Sequence, residues 1–84
     1  MGEKMYSTSI ILKTCWDVKR FIEIISKIKG KVTAKQFSYT VDAKSILGVI
    51  SLDTNIPITL HFENIEDDKF DYFLKVFKEE KWEV

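Results

Sequence analysis

Eighty-four residues carrying thirteen basic and thirteen acidic side chains make one small domain, spanning 1–84, with no net charge at neutral pH. Balanced charge removes the field that draws a chain to nucleic acid or to an anionic membrane, so neither is expected as a partner. A single cysteine excludes an internal disulfide and a multi-cysteine metal site, and fits a reducing compartment.

In chain order, the opening residues lack the apolar stretch of a signal peptide, and no later run approaches the ~20 apolar residues of a membrane span. A soluble, cytoplasmic protein is expected. Gly2 with Ser7 downstream is close to a myristoylation start but one position out of register, and reads as an accident of the start site. Tyr6 to Leu12 is rich in β-branched residues and predicts a strand with Tyr6, Thr8, Ile10 and Leu12 on one face. Thr14 followed three residues later by Asp17 is a capping-box pattern. A helix then follows, with Val18, Phe21, Ile22, Ile25 and Ile28 at the spacing of one stripe, and Gly30 is expected to end it at positive φ.

Lys31 to Phe37 predicts a second strand, with Val32 and Ala34 alternating against Thr33 and Lys35 until Gln36 breaks the pattern. The connection through Phe37, Ser38 and Tyr39 lacks the Asn-Gly chemistry of a tight hairpin, and Thr40 to Asp42 makes a short third strand. The apolar run from Ile46 to Ile50 predicts a short helix capped by Ser45, whose side-chain oxygen suits an unpaired amide of the first turn. Asp53, Thr54 and Asn55 form a turn, and Pro57 stands at the entry of a strand, Ile58 to Glu63, with clean alternation. The acidic stretch Asn64 to Asp68 opens a last helix whose buried stripe is Phe70, Phe73, Leu74 and Phe77. The order is βαββαβα, an α+β domain with the helices on one face of an antiparallel sheet.

Few residues offer chemistry. His61 is the only histidine, and alternation turns it away from the core with no acid or second ligand spaced to orient it. Cys15 lies near a helix N-terminus, where a thiol acidifies, but no partner base is visible. The paired acids at Glu66, Asp67 and Asp68 and at Glu79 and Glu80 are explained by the helix dipole and by solvation. Trp16 and Trp82 fall off the core spacing; Trp16 is either part of a recognition patch or packed over the end of the first helix.

The run Ala43-Lys44-Ser45-Ile46-Leu47-Gly48-Val49-Ile50-Ser51-Leu52 resembles the regulatory-serine segment of HPr, the small phosphocarrier of the bacterial sugar phosphotransferase system. That segment reads as lysine, serine, isoleucine, a long aliphatic residue, glycine, two apolar residues and serine-leucine. The resemblance, followed from about Lys4 to the last helix, implies an open-faced β-sandwich: a four-stranded antiparallel sheet with three helices on one face. It fails at the carrier site. Counted back from Ser45 without gaps, the family's glycine, aliphatic, histidine, alanine, arginine, proline motif falls on Leu12-Lys13-Thr14-Cys15-Trp16-Asp17, and none of the positions matches. Thr14 stands where the phosphorylated histidine would be, and a threonine phosphoester is too stable for a fast donor. Trp16 stands where the arginine would clamp the phosphoryl group, and it has no guanidinium fork.

What remains is regulatory. In HPr of the Gram-positive type the serine matching Ser45 is phosphorylated by a dedicated kinase, and the modified protein docks on a transcription regulator. The resemblance therefore implies phosphorylation at Ser45 and a docking surface of Ile46, Leu47 and Ile50; the bland alternative makes Ser45 a cap alone, worth ~1 kcal/mol. Catabolite-repression HPr also lacks the histidine and keeps the serine, but it retains the arginine that here is Trp16. The expected function is a non-enzymatic HPr-like regulatory or protein-binding domain without phosphohistidine carrier activity. Its partner would be a kinase, a phosphotransferase-system component or a transcription regulator, with no cofactor and no metal. The rival is a phosphocarrier using an atypical acceptor such as Cys15.

Overall fold

The computed structural model describes residues 5–84; the Gly2 reading lies outside the described residues. Seven elements follow in the order βαββαβα. They are β1 (Met5–Ile10), α1 (Cys15–Ile25), β2 (Lys31–Gln36), β3 (Tyr39–Asp42), α2 (Ile46–Ile50), β4 (Ile58–Glu63) and α3 (Asp67–Glu79). The strands form one antiparallel sheet in the order β1-β4-β2-β3. Two crossovers generate that order, and α1 and α3 supply the apolar stripes that cover the face they cross.

Register explains the two faces. Tyr6, Phe62 and Val32 lie side by side across β1, β4 and β2, as do Thr8, Leu60, Ala34 and Val41 once β3 is added. Phe62, Leu60, Val32 and Ala34 are buried, and they meet Val18, Phe21 and Ile25 of α1, Val49 of α2, and Phe70, Phe73 and Phe77 of α3 in one cluster. The alternate residues, Ser7, Ser9, Thr59, His61, Thr33 and Lys35, form the opposite face. Period-two alternation is the cause: one face is paid for in apolar burial and the other remains hydrogen-bonding.

Several local expectations are corrected. Gly30 does not end α1 and its φ is not positive. The helix stops at Ile25 with Ser26 as its cap, and two tighter turns, Lys27 N–H to Ile24 O at 3.3 Å and Ile28 N–H to Ile25 O at 3.0 Å, carry Ile28 into the core. Glycine is required at position 30 for space, since a Cβ would stand 2.3 Å from the carbonyl oxygen of Glu63. Nor does Gln36 break β2; it continues the inward face. Its amide donates to the carbonyls of Asp53 at 2.6 Å and Ile56 at 3.2 Å, and its Oε1 accepts from the Asp53 N–H at 2.7 Å. A buried amide that is fully paired is tolerated where an unpaired one would cost about 1–3 kcal/mol.

The β2–β3 connection is a tight two-residue turn after all, with Gln36 opposite Tyr39 and Phe37 at φ 55. Positive φ at the first central position is what a type II′ turn demands, and glycine normally supplies it. The exposed Phe37 takes the strain instead, so no glycine signal marks the hairpin. Trp82 is the largest correction, since it is buried to 1% exposure rather than lying off the core. It stands against Phe21 at 6.0 Å, edge to face, and against Phe77 at 5.9 Å.

Candidate functional site

Two helix starts build the site. At the first, Thr14 caps α1: its Oγ1 accepts from the Asp17 N–H at 3.1 Å, while Asp17 Oδ2 accepts from the N–H groups of Thr14 at 3.3 Å and Lys13 at 3.2 Å. This is the reciprocal arrangement expected from the spacing, and it occupies both side chains. Cys15 and Trp16, the next two residues, are left outside the core and exposed.

At the second, Asp42 turns the chain out of β3. Its Oδ1 accepts from the Lys44 N–H at 2.9 Å and its carbonyl from the Ser45 N–H at 3.0 Å. Lys44 Nζ donates to the Ile28 carbonyl, tying this corner to the end of α1. The exposed Ser45 then caps α2, its Oγ accepting from the Gly48 N–H at 3.2 Å. Gly48 lets α2 lie close to β3, where a Cβ would stand 3.2 Å from Val41 Cβ.

Five residues of helix present one buried side chain, Val49, and leave the rest outward. Ile46 is 39% exposed, Ile50 56% and Leu47 79%, beside a Trp16 that is 77% exposed. Scattered apolar side chains on a surface need no explanation, but a contiguous set does. Here the set borders an open groove of about 510 Å³ between the start of α1 and α2. Trp16, Val18, Ile46, Ile50 and Leu52 supply its apolar lining; Lys13, Thr14, Cys15, Lys19 and Thr54 complete it. The Lys19 ammonium stands 5.1 Å from the centre of the Trp16 ring, a cation–π contact one helical turn apart. A second groove of about 620 Å³ shares Trp16, Lys19 and Ile46 with the first and extends to Arg20, Glu23 and Glu80. Within it Arg20 Nε pairs with Glu80 Oε2 at 3.2 Å.

The fold thus gathers Thr14, Cys15 and Trp16 with Ile46 and Ile50 around one groove, although some thirty residues separate them in sequence. Leu47 stands outside both grooves, projecting on the exposed side of α2. His61 is on the other side of the sheet, paired in register with Ser7 and Thr33. Among the described residues no group of three His, Cys, Asp or Glu side chains is placed to hold a metal ion, and no helix is long and apolar enough to cross a membrane. Lys13, Lys19, Leu52 and Thr54 are groove residues that sequence reasoning passed over. Lys13 and Lys19 flank the capping box, Leu52 closes the Ala43 to Leu52 run and Thr54 lies in the turn after it, so each was adjacent to a recognised signal without being read as part of a site.

The groove thus sets an exposed indole, four aliphatic side chains and two ammonium groups around one concave surface, with the Thr14 hydroxyl and the Cys15 thiol also in its lining. Comparison of the chain with protein families, with curated proteins and with solved structures finds no match in any of the three.

Proposed function

We propose that this chain is an HPr-like regulatory binding domain that carries no phosphate on histidine and docks a protein partner through the face around Trp16, Ile46, Leu47 and Ile50. Phosphorylation at Ser45 controls that docking. The observation that carries the reading is the contiguous exposed apolar set on α2 and the first turn of α1. Burying about 100 Å² of it against a partner is worth roughly 2.5 kcal/mol before the costs of association.

Two further features support it. Thr14 is committed to the capping box, so the residue at the carrier position holds a helix end and offers no leaving phosphate. Ser45 is exposed and precedes Ile46 directly, so a phosphate there places a charge of about −1.5 to −2 beside the docking face. Modification at this point changes what the face attracts and leaves the core untouched.

The test is capture of a partner by the immobilised chain, unmodified or phosphorylated at Ser45, against a Leu47→Asp variant. Capture that depends on Ser45 phosphate and is lost in Leu47→Asp is the expected result. Incubation with the general phosphotransferase enzyme and phosphoenolpyruvate separates this reading from the carrier alternative: acid-labile phosphate on the chain, or a phosphothiol at the exposed Cys15, overturns the proposal.

A further inference from the structure

Resting on that docking reading, we infer that the partner is a peptide segment presenting a large apolar side chain flanked by carboxylates, with the apolar group seated in the groove between α1 and α2 and the carboxylates on Lys13 and Lys19. The groove is lined by Trp16, Ile46, Ile50 and Leu52 together with those two lysines, and no carboxylate lines it. Asp17, the nearest acid in sequence, is turned into the capping box, where it already accepts two backbone N–H groups. Among the described residues neither Lys13 nor Lys19 forms an ion pair, and Lys19 stands over the Trp16 ring. A carboxylate approaching Lys19 therefore meets an ammonium whose counter-ion position is open, directly beside an apolar surface.

Shape and charge together select the occupant. An open groove of about 510 Å³ bordered by the Trp16 indole suits a large apolar side chain of a peptide segment, while the neighbouring groove carries Asp17, Glu23 and Glu80 and so confines the partner's carboxylates to the Lys13 and Lys19 side of the indole. Net charge does not announce this, because the whole chain sums to zero. The cations are local to the groove, and local complementarity sets orientation and partner choice.

The probe is a set of three synthetic helical peptides sharing one apolar stripe and differing only in flanks of Glu, Gln or Lys, titrated into the full chain by amide chemical shifts. The Glu peptide is expected to bind roughly tenfold tighter than the Lys peptide, the ratio that two exposed ion pairs against two like-charge contacts provide. Shifts should centre on Trp16, Ile46 and Ile50, and affinity should fall with added salt. The double variant Lys13→Glu, Lys19→Glu should reverse the preference, and both positions are exposed, so the fold tolerates it. Equal binding of the three peptides overturns the requirement for acid while leaving partner capture through Leu47 untouched. Shifts elsewhere, no binding by any peptide, or binding to phosphatidylglycerol vesicles in place of peptide overturns the inference as well. Capture unaffected by Leu47→Asp would instead bring down the docking reading itself.

Discussion

Lys81 holds a left-handed conformation, φ 64, one residue beyond the cap of α3. Around it the Trp82 N–H donates to the Phe77 carbonyl at 2.9 Å and the Lys81 N–H to the Lys78 carbonyl at 3.1 Å. These are the two bonds of a Schellman ending, and the ring contact of Trp82 with Phe77 is the apolar clasp that accompanies it. A side chain in this conformation costs about 1–2 kcal/mol that glycine does not incur. Replacing Lys81 by glycine should therefore stabilise the chain by about 1 kcal/mol after the added entropy of the unfolded state. Calorimetry would read that as a midpoint raised by about 4–8 °C, and a lowered midpoint would show the left-handed residue to be unstrained. Phe37 and Asn64 share the positive φ, but only Asn adopts it readily, which is why the Phe37 turn escaped a reading based on turn chemistry.

At the scale of elements, the helices are held by tertiary contacts more than by their own ends. Five residues cannot sustain α2 alone, and its place depends on the Ser45 cap, on Val49 in the core and on the close approach at Gly48. The N-cap of α3, Glu66, makes no side-chain capping bond. Tyr6 of β1 does comparable work from outside: its hydroxyl donates to Asp67 in the first turn of α3, and its ring stacks on Phe70 at 4.4 Å. The hydrogen bond to Asp67, with lesser help from desolvation and from the charges of Asp67 and Asp71, raises the Tyr6 pKa above that of a free phenol. Folded Tyr6 thus holds its proton more tightly than unfolded Tyr6, so its contribution is complete below pH ~10 and is lost as pH climbs through the folded value. Denaturant unfolding followed into the alkaline range should show wild type losing more stability than Tyr6→Phe. Parallel curves would mean that the contact does not survive in solution.

For the molecule as a whole, the two tryptophans, both off the core spacing, take opposite places: Trp16 stays exposed beside the groove and Trp82 is buried. Trp16→Ala should shift unfolding by no more than about 0.5 kcal/mol, as an exposed substitution does, while removing the indole from the groove. Trp82→Ala should cost about 3–5 kcal/mol, a large part of the roughly 4–13 kcal/mol expected of a chain this long. Trp82→Phe should be tolerated far better, because it keeps a ring against Phe21 and Phe77 and removes a buried indole N–H that has no hydrogen-bond partner. Urea titration of the three variants distinguishes these costs, and equal losses for Trp16→Ala and Trp82→Ala would refute the assignment. Local physics made most of the fold legible in the residues. The Thr14–Asp17 box, the Ser45 cap, the alternation of β4 and the apolar stripe of α3 are each set by neighbours a few positions apart, and each is where the pattern placed it. What escaped depends on contacts distant in sequence: Gly30 answers to the carbonyl of Glu63, Gln36 to a loop seventeen residues on, and Trp82 to a helix ending that turns it back onto Phe21. The candidate site divides in the same way. Ile46, Leu47 and Ile50 stood out as an apolar run on a helix too short to bury them, whereas the groove that Ile46 and Ile50 share with Trp16, Lys13 and Lys19 exists only because the chain folds the start of α1 against α2. Capping and periodicity act within a turn or a strand, but a concave surface needs two segments at once, and only the closed chain supplies both.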